Sequence, residues 1–402
     1  MAREDLFVMS EELAIIYRTM EMDIFLLIIE MLDNAEGIED IHQWQRDMFS
    51  QTTSFNDDLA IMIAVYTAIM EQATNDSIQN VFDIALKDVD DRVVAHLGDK
   101  PTNIKLDDVI KQGFEDQIFR PSINGLPNFV NQTLLGTHYG GGMAEYVFTD
   151  IINKTTRQFV YGDMKFHKAL EKTILDWVDS GISGGFIDKG GNLWSLERYI
   201  NTVLRSTLSN VYNAVHLSRM EEYGIHTVLM SSIIDSAPRC IECQGEVLDM
   251  RPVGQVDSNY KSIYEFGYGT PGGTLGINCR HSVWAFIPGV HTNTQPQFDP
   301  KETESRSKDR ARQRELERRI RETKKKMIIY EHLGMKPELK SSSMTLALQQ
   351  DQIDNLLKDC NWLRRNYNNE RVYTPKELLI KEFKINQFAN FGERGYSERW
   401  TV

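Results

Sequence analysis

The chain has 402 residues, 41% hydrophobic and 26% charged, a balance ordinary for a soluble globular protein and long enough for two or three domains. A formal net charge of −13 argues against a general nucleic-acid coat and suits partners that are proteins. Four cysteines are too few for a disulfide scaffold and point to a reducing compartment.

Met1-Ala-Arg-Glu-Asp5 opens with mixed charge and no apolar core, so no secretory leader is expected. Ser10 is expected to cap a helix with Glu11 and Glu12 in its first turn, where the dipole favours them, running to Leu32. Its apolar run, Ile24-Phe-Leu-Leu-Ile-Ile29, sits between Asp23 and Glu30 and falls far short of the roughly 20 residues of a membrane span. It reads as a buried helix face or an inter-subunit contact.

A second helix is expected from Ile41 through Trp44 and Met48. A third opens near Asn56 and carries Ile61, Ile63, Tyr66 and Ile69, and a fourth opens near Asn75 with Val81, Ile84 and Leu86 inward. Lys100-Pro101 ends this pattern. Residues 121–142, with Pro121, Gly125, Pro127 and Gly140 to Gly142, read as a linker. No Gly-Lys-Ser/Thr follows those glycines, so a phosphate cradle is not expected there. Helices should then cover Ala144 to Tyr161 and Lys165 to Asp179. The clearest 3.6-residue period runs from Leu193 to Tyr223, through Leu196, Ile200, Val203, Leu204, Leu208, Val211, Tyr212 and Val215, with Gly224 in the C-cap place.

After Gly224 the pattern changes. Residues 227–234 and 283–287 are β-rich and read as strands. Between them lie two short clusters, Cys240-Ile-Glu-Cys243-Gln-Gly245 and Gly276-Ile-Asn-Cys279-Arg-His281. A thiolate pair two residues apart can grip one metal from a tight turn, and a Cys-x-His on a second turn can close a tetrahedral zinc site. The expected ligands are therefore Cys240, Cys243, Cys279 and His281, holding a structural zinc. The competing readings are buried thiols without metal and a disulfide or redox pair of Cys240 with Cys243. A glycine-rich unit this small has little core of its own, and a metal can supply folding energy.

The segment from Lys301 to Lys326 holds 12 Lys or Arg against 6 Asp or Glu. It reads first as a solvated helix laced with i,i+4 pairs, and second as a contact for DNA or an acidic protein face. Interleaved aromatics are missing, so base stacking is not expected. A Ser-rich break at Ser341 to Ser343 should precede a last helix, Leu346 to Arg365, with Cys360 as a small buried residue.

The residues around the two clusters carry a resemblance. Asp235-Ser-Ala-Pro-Arg239 before the first cluster, Gln244-Gly245 inside it, Tyr260-Lys-Ser-Ile-Tyr264, Gly267-Tyr-Gly-Thr270, and Asn278-Cys-Arg-His281 followed by Trp284, Phe286 and Gly289 together resemble the bacteriophage minor capsid protein 2 family, a relative of the Mu F-like head morphogenesis proteins. Val203-Leu-Arg205-Ser-Thr207 is similar to the family's Arg-Thr helix. Gly181-Ile182, Phe186-Ile187-Asp188 and Gly190 are similar to its Gly-Ile, Ile-Asp, Gly turn, and Arg314-Glu-Leu-Glu-Arg-Arg-Ile-Arg321 to its basic helix. The match spans about residues 160–330. It departs where family members carry His for Cys240, Trp for Cys243 and, in some, Cys for Leu275; a ligand exchanged between the turns keeps a set of four.

The resemblance implies a structural minor capsid protein that acts in head morphogenesis through contacts with portal and major capsid proteins, located in the virion and assembled in the host cytoplasm. Self-association and packaged DNA are further partners under this reading. The fold expected is mainly α, long helices with a small α+β zinc-knuckle-like module in the second half. The expected units are 1–135 and 140–224 (helical), 225–290 (the zinc-supported module), 300–335 (the basic helix) and 336–402 (a helical tail). Catalysis is not expected. No His-Glu-x-x-His occurs, and Pro238-Arg239 before Cys-x-x-Cys only echoes the zinc deaminases, whose His-x-Glu is missing upstream. A four-ligand site also has no open position for water. The alternative is a metal-dependent enzyme or a DNA-binding factor packaged in the head. Arg239 and Arg280, beside the ligands, are candidate partners for Asp235 or for a phosphate.

Overall fold

The computed structural model describes residues 2–32, 40–97, 143–162, 164–180, 186–187, 193–194, 196–256 and 259–373. Their helices are α1 (Ala2–Leu32), α2 (Ile41–Ser50), α3 (Thr52–Leu97), α4 (Met143–Tyr161), α5 (Phe166–Ser180), α6 (Leu196–Glu222), α7 (Pro300–His332) and α8 (Lys336–Asp359). The strands are β1 (Phe186–Ile187), β2 (Leu193–Trp194), β3 (Thr227–Met230), β4 (Val247–Asp249), β5 (Lys261–Ser262) and β6 (Val283–Ala285). The mainly helical architecture with a small sheet in the second half is as expected. None of the described helices is long and apolar enough to cross a membrane.

α1 is buried on nearly every side. Leu13, Ile16, Met20, Ile24, Ile28 and Leu32 follow the helical period, and Met22, Leu27 and Ile29 fill the opposite face. A helix apolar all round belongs inside a bundle. The run from Ile24 to Ile29 is thus interior packing within one chain. The helix begins at Ala2, so Ser10 is no cap. Its hydroxyl donates to the Phe7 carbonyl at 2.8 Å, the local bond a serine makes inside a helix.

α3 is one continuous helix, about 69 Å long at 1.5 Å per residue. The break expected at Asn75 does not occur. Asn75 and Asp76 lie on the exposed face, while Met70, Ala73, Ile78, Val81, Ala85, Val89 and Val93 carry the buried stripe straight through. The first part of α3 packs in the large core with α1, α2, α4 and α6. Val89 and Val93 enter a second core, that of the sheet module. α3 therefore ties bundle to module, and Arg92 lies over the Trp284 ring of β6 at 5.1 Å.

α6 starts at Leu196, three residues later than expected, because Leu193 and Trp194 form β2 against Phe186–Ile187. Leu204, Leu208, Val211, Tyr212 and Val215 are buried as the period requires. Gly224 ends the helix with φ of 67°. Its N–H donates to the Glu221 carbonyl and the Ile225 N–H to the Met220 carbonyl, the paired bonds of a Schellman cap. The chain then enters a four-stranded sheet of order β5-β4-β3-β6, antiparallel except for the β4–β5 pair.

α7 and α8 form a hairpin with its own core of Leu316, Ile320, Ile353, Leu356 and Leu363. Ser341 to Ser343 lie within α8 rather than breaking it, with Ser343 bonded back to the Leu339 carbonyl at 2.9 Å. Cys360 is its half-buried C-cap residue. The linker expected over 121–142 lies outside the described residues.

Candidate metal centre

The first cluster follows β3. Ala237 is extended, Pro238–Cys240 make one 3-10 turn, and the N–H groups of Cys243 and Gln244 both point at the Cys240 carbonyl, at 3.3 and 2.9 Å. The chain can rejoin the sheet only through a left-handed residue, and Gly245, φ 74°, supplies it. This knuckle turns both cysteines inward, 1% and 0% exposed.

The second cluster is carried by a glycine-dense loop. A Cβ at Gly273 would stand 1.9 Å from the Gly267 carbonyl oxygen, so the chain can cross itself there only without a side chain. Leu275 and Asn278 take φ of 56° and 58°, a conformation that costs a non-glycine residue about 1–2 kcal/mol. Burial of Leu275 in the module core offsets the first. The side chain of Asn278 reaches Thr202 of α6 at 3.3 Å, which seats the loop on the bundle.

Three of the four expected ligands converge. One donor atom each from Cys240, Cys279 and His281 lies within 4.8 Å of the others. Cys240 Sγ is 3.8 Å from Cys279 Sγ, and Cys279 Sγ is 3.5 Å from His281 Nδ1. A tetrahedral zinc with sulfur at about 2.3 Å and nitrogen at about 2.0–2.1 Å sets its ligands about 3.8 Å apart sulfur to sulfur and about 3.5 Å sulfur to nitrogen. The two spacings are those of a zinc tetrahedron's edges, so the donor set fits the ion. Cys243 lies outside the triad, its sulfur 3.4 Å from Thr274 Oγ1, which stands 3.6 Å from Cys240 Sγ. All four cysteines are free thiols.

The sulfurs perturb one another. The contact with Cys243 raises the Cys240 thiol, the same contact lowers Cys243, and Cys279 is pushed up to about 12 by its bond to Cys240 and by burial. Neighbouring buried thiols cannot all ionise unless a cation compensates them.

Sequence reasoning missed the surrounding shell. Gln244 Oε1 accepts the Ile233 N–H at 2.9 Å and faces His281 Nε2 at 3.2 Å. Asp235, 4% exposed, takes Arg280 and Arg310 on the same carboxylate oxygen, each at 2.9 Å. Arg280 is thus the Asp235 partner expected, and Arg310 of α7 is the partner not foreseen. Arg239 binds the carbonyls of Pro271 and Ile277 instead, joining knuckle to loop. The charges of α7 divide. Arg306, Lys308 and Arg319 make the i,i+4 pairs expected of a solvated helix. Arg310 holds Asp235 of the module, and Lys325 reaches Glu21 of α1 at 2.5 Å.

The family described as phage minor capsid protein 2 matches residues 2–358. A structural protein of Lactococcus phage LL-H is 34% identical over 253 residues, which cover 62% of this chain and 68% of that protein. A structural protein of Lactococcus phage mv4 is 33% identical over 113 residues, 28% of this chain and 92% of the other. No solved structure matches the chain.

Proposed function

The chain belongs to the phage minor capsid protein 2 family, and from that membership we propose that it works in head morphogenesis, by contacts with the portal and major capsid proteins. It is a structural phage protein, as its relatives are named. The observation that carries the reading is the extent of the match, which runs from α1 to the end of α8. The match takes in the bundle, the module and the α7–α8 hairpin, and assembly through their surfaces needs no catalytic step.

Zinc is the metal this reading assigns, held by Cys240, Cys243, Cys279 and His281 as a structural ion. Its support is that the Cys240–Cys279 and Cys279–His281 spacings match edges of a zinc tetrahedron. The ion would join the knuckle after β3 to the loop before β6, and so fix the sheet's two connections. One observation favours a second reading, a metal-dependent enzyme: Cys240, Cys279 and His281 line a cavity, and Cys243, although it touches Cys240, is not among the three whose donor atoms converge. A three-ligand ion would keep a position open there. X-ray absorption on the purified protein separates the two, since a third sulfur as the fourth ligand supports the structural ion and an oxygen in its place supports the enzyme.

Packaged DNA is a weaker candidate partner, because the inner arginines of α7 are engaged within the chain; Arg312 and Arg318 remain on its exposed face. Cross-linking mass spectrometry on purified heads tests the main proposal. Links from this chain to the portal or major capsid protein are expected. A protein absent from heads, or present without links to either, would sink it.

A further inference from the structure

In a chain of net charge −13, one region is strongly basic. A cavity of about 400 Å³ lies among α1, α6, α7 and the two metal-cluster loops, and its lining holds eight arginines against four carboxylates, Glu11, Asp235, Glu317 and Glu322. Asp235 is already shared between Arg280 and Arg310. Glu317 is 2% exposed, and burial raises its carboxyl towards the neutral form.

The inner part centres on Arg205 of α6 and Arg314 of α7. Both guanidinium groups lie over the one ring of Phe7, at 4.8 and 5.5 Å. Glu11 binds Arg205 and, at 3.3 Å, Arg18, and the buried Glu317 stands 3.3 Å from Arg314. Three partly or wholly buried guanidinium groups meet two carboxylates there, one of them, Glu317, shifted by burial towards its neutral form, and a positive excess remains that water screens poorly. Burial lowers the Arg205 pKa, and the nearby charges of Arg314 and Arg18 lower it further. Arginine forks of this kind match the oxygens of a tetrahedral oxyanion.

We propose that this cavity binds a phosphate-class oxyanion between Arg205 and Arg314, with the exposed Arg318 on its wall. The anion balances the arginine excess and cross-links α6 to α7. Its source is either free phosphate or a backbone phosphate of DNA. Cys240, Cys279 and His281 line the same cavity, but none of the arginines assigned to the anion is a metal ligand.

The test is thermal melting and calorimetric titration of the full chain with sodium phosphate, against sodium chloride at matched ionic strength. Phosphate should raise the melting temperature where chloride does not. Arg314→Gln should weaken phosphate binding at least tenfold, and Arg314→Lys should restore part of it. Glu11→Gln removes the internal competitor at Arg205 and should tighten binding severalfold, although a structural ion cluster would only be destabilised by it. A short DNA duplex that displaces phosphate assigns the source to DNA, and one that does not assigns it to free phosphate. The proposal is overturned if wild type responds to phosphate as it does to chloride, or if Arg314→Gln and wild type titrate alike. Should Arg314→Gln fail to fold, Arg318→Gln takes its place in that comparison.

Discussion

Gln244 Oε1 lies 3.2 Å from His281 Nε2, and this contact decides which nitrogen faces the thiols. The same oxygen accepts the Ile233 N–H at 2.9 Å, so Nε2 must be the protonated nitrogen that donates to it. The Nδ1 lone pair is then directed to the cysteine side, 3.5 Å from Cys279 Sγ. A metal-binding histidine oriented in this way loses affinity when its orienting partner is removed. Gln244→Leu should weaken zinc binding by about 10–100-fold with helical content unchanged, measured by competition with a chromophoric chelator. Equal affinity in the two proteins would show that the imidazole does not bind through Nδ1.

Removing a ligand tests the ion itself. Cys279→Ser should abolish stoichiometric zinc and lower the melting temperature by about 10 °C, the effect of several kcal/mol at roughly 2–4 °C each. Chelation of the wild-type protein should reproduce that loss, and added zinc should reverse it. Unchanged metal content and melting in the variant would leave the cysteines as buried thiols.

The helices were legible where burial follows one stripe. Leu204, Leu208, Val211 and Val215 mark α6, and Gly224 its end. Cap-type residues misled where they sit on a solvent face. Asn75 and Asp76 cost α3 little because Ile78 and Val81 continue its buried stripe beneath them, and packing outweighs local propensity. In the site, thiol spacing pointed to the convergence of Cys240 with Cys279. Thr274, Gln244 and the Asp235–Arg310 pair carry no spacing signal. Their roles come from how the loop folds over the knuckle and how α7 returns to the module.

Asp235 should act as the rivet between α7 and the module. Its carboxylate is buried and takes Arg280 from the second cluster and Arg310 from α7. Asp235→Asn keeps the shape, removes the charge and leaves both arginines uncompensated. The arginines are about one-third exposed, so screening reduces the cost below that of a fully buried pair. A loss of about 2 kcal/mol in chemical denaturation is expected. Hydrogen exchange should speed up in α7 more than in α1. A variant as stable as wild type would mean that α7 is held by its hydrophobic seam with α8 alone.

His216 sets a pH dependence separate from the metal centre. Its ring is fully buried on α6, stacked on Tyr212 at 5.3 Å, with Asp88 Oδ2 4.0 Å from Nδ1. Burial pulls its pKa from 6.5 down to about 4, a shift that Asp88 opposes and Arg92 assists. Above pH 6.5 neither the folded nor the unfolded chain protonates this ring. As pH falls from about 6.5 towards 4 the unfolded state takes up a proton that the folded state refuses, so stability falls in that window. At about 1.4 kcal/mol per pKa unit the full difference approaches roughly 3 kcal/mol. His216→Leu removes the titration while keeping an apolar side chain of similar bulk. Unfolding free energies measured at pH 7 and pH 5 should converge, wild type losing about 2 kcal/mol relative to the variant. Parallel losses in the two proteins would place the acid sensitivity on other groups, the paired carboxylates of Glu11 and Asp235 first among them, since both are held below their ordinary values.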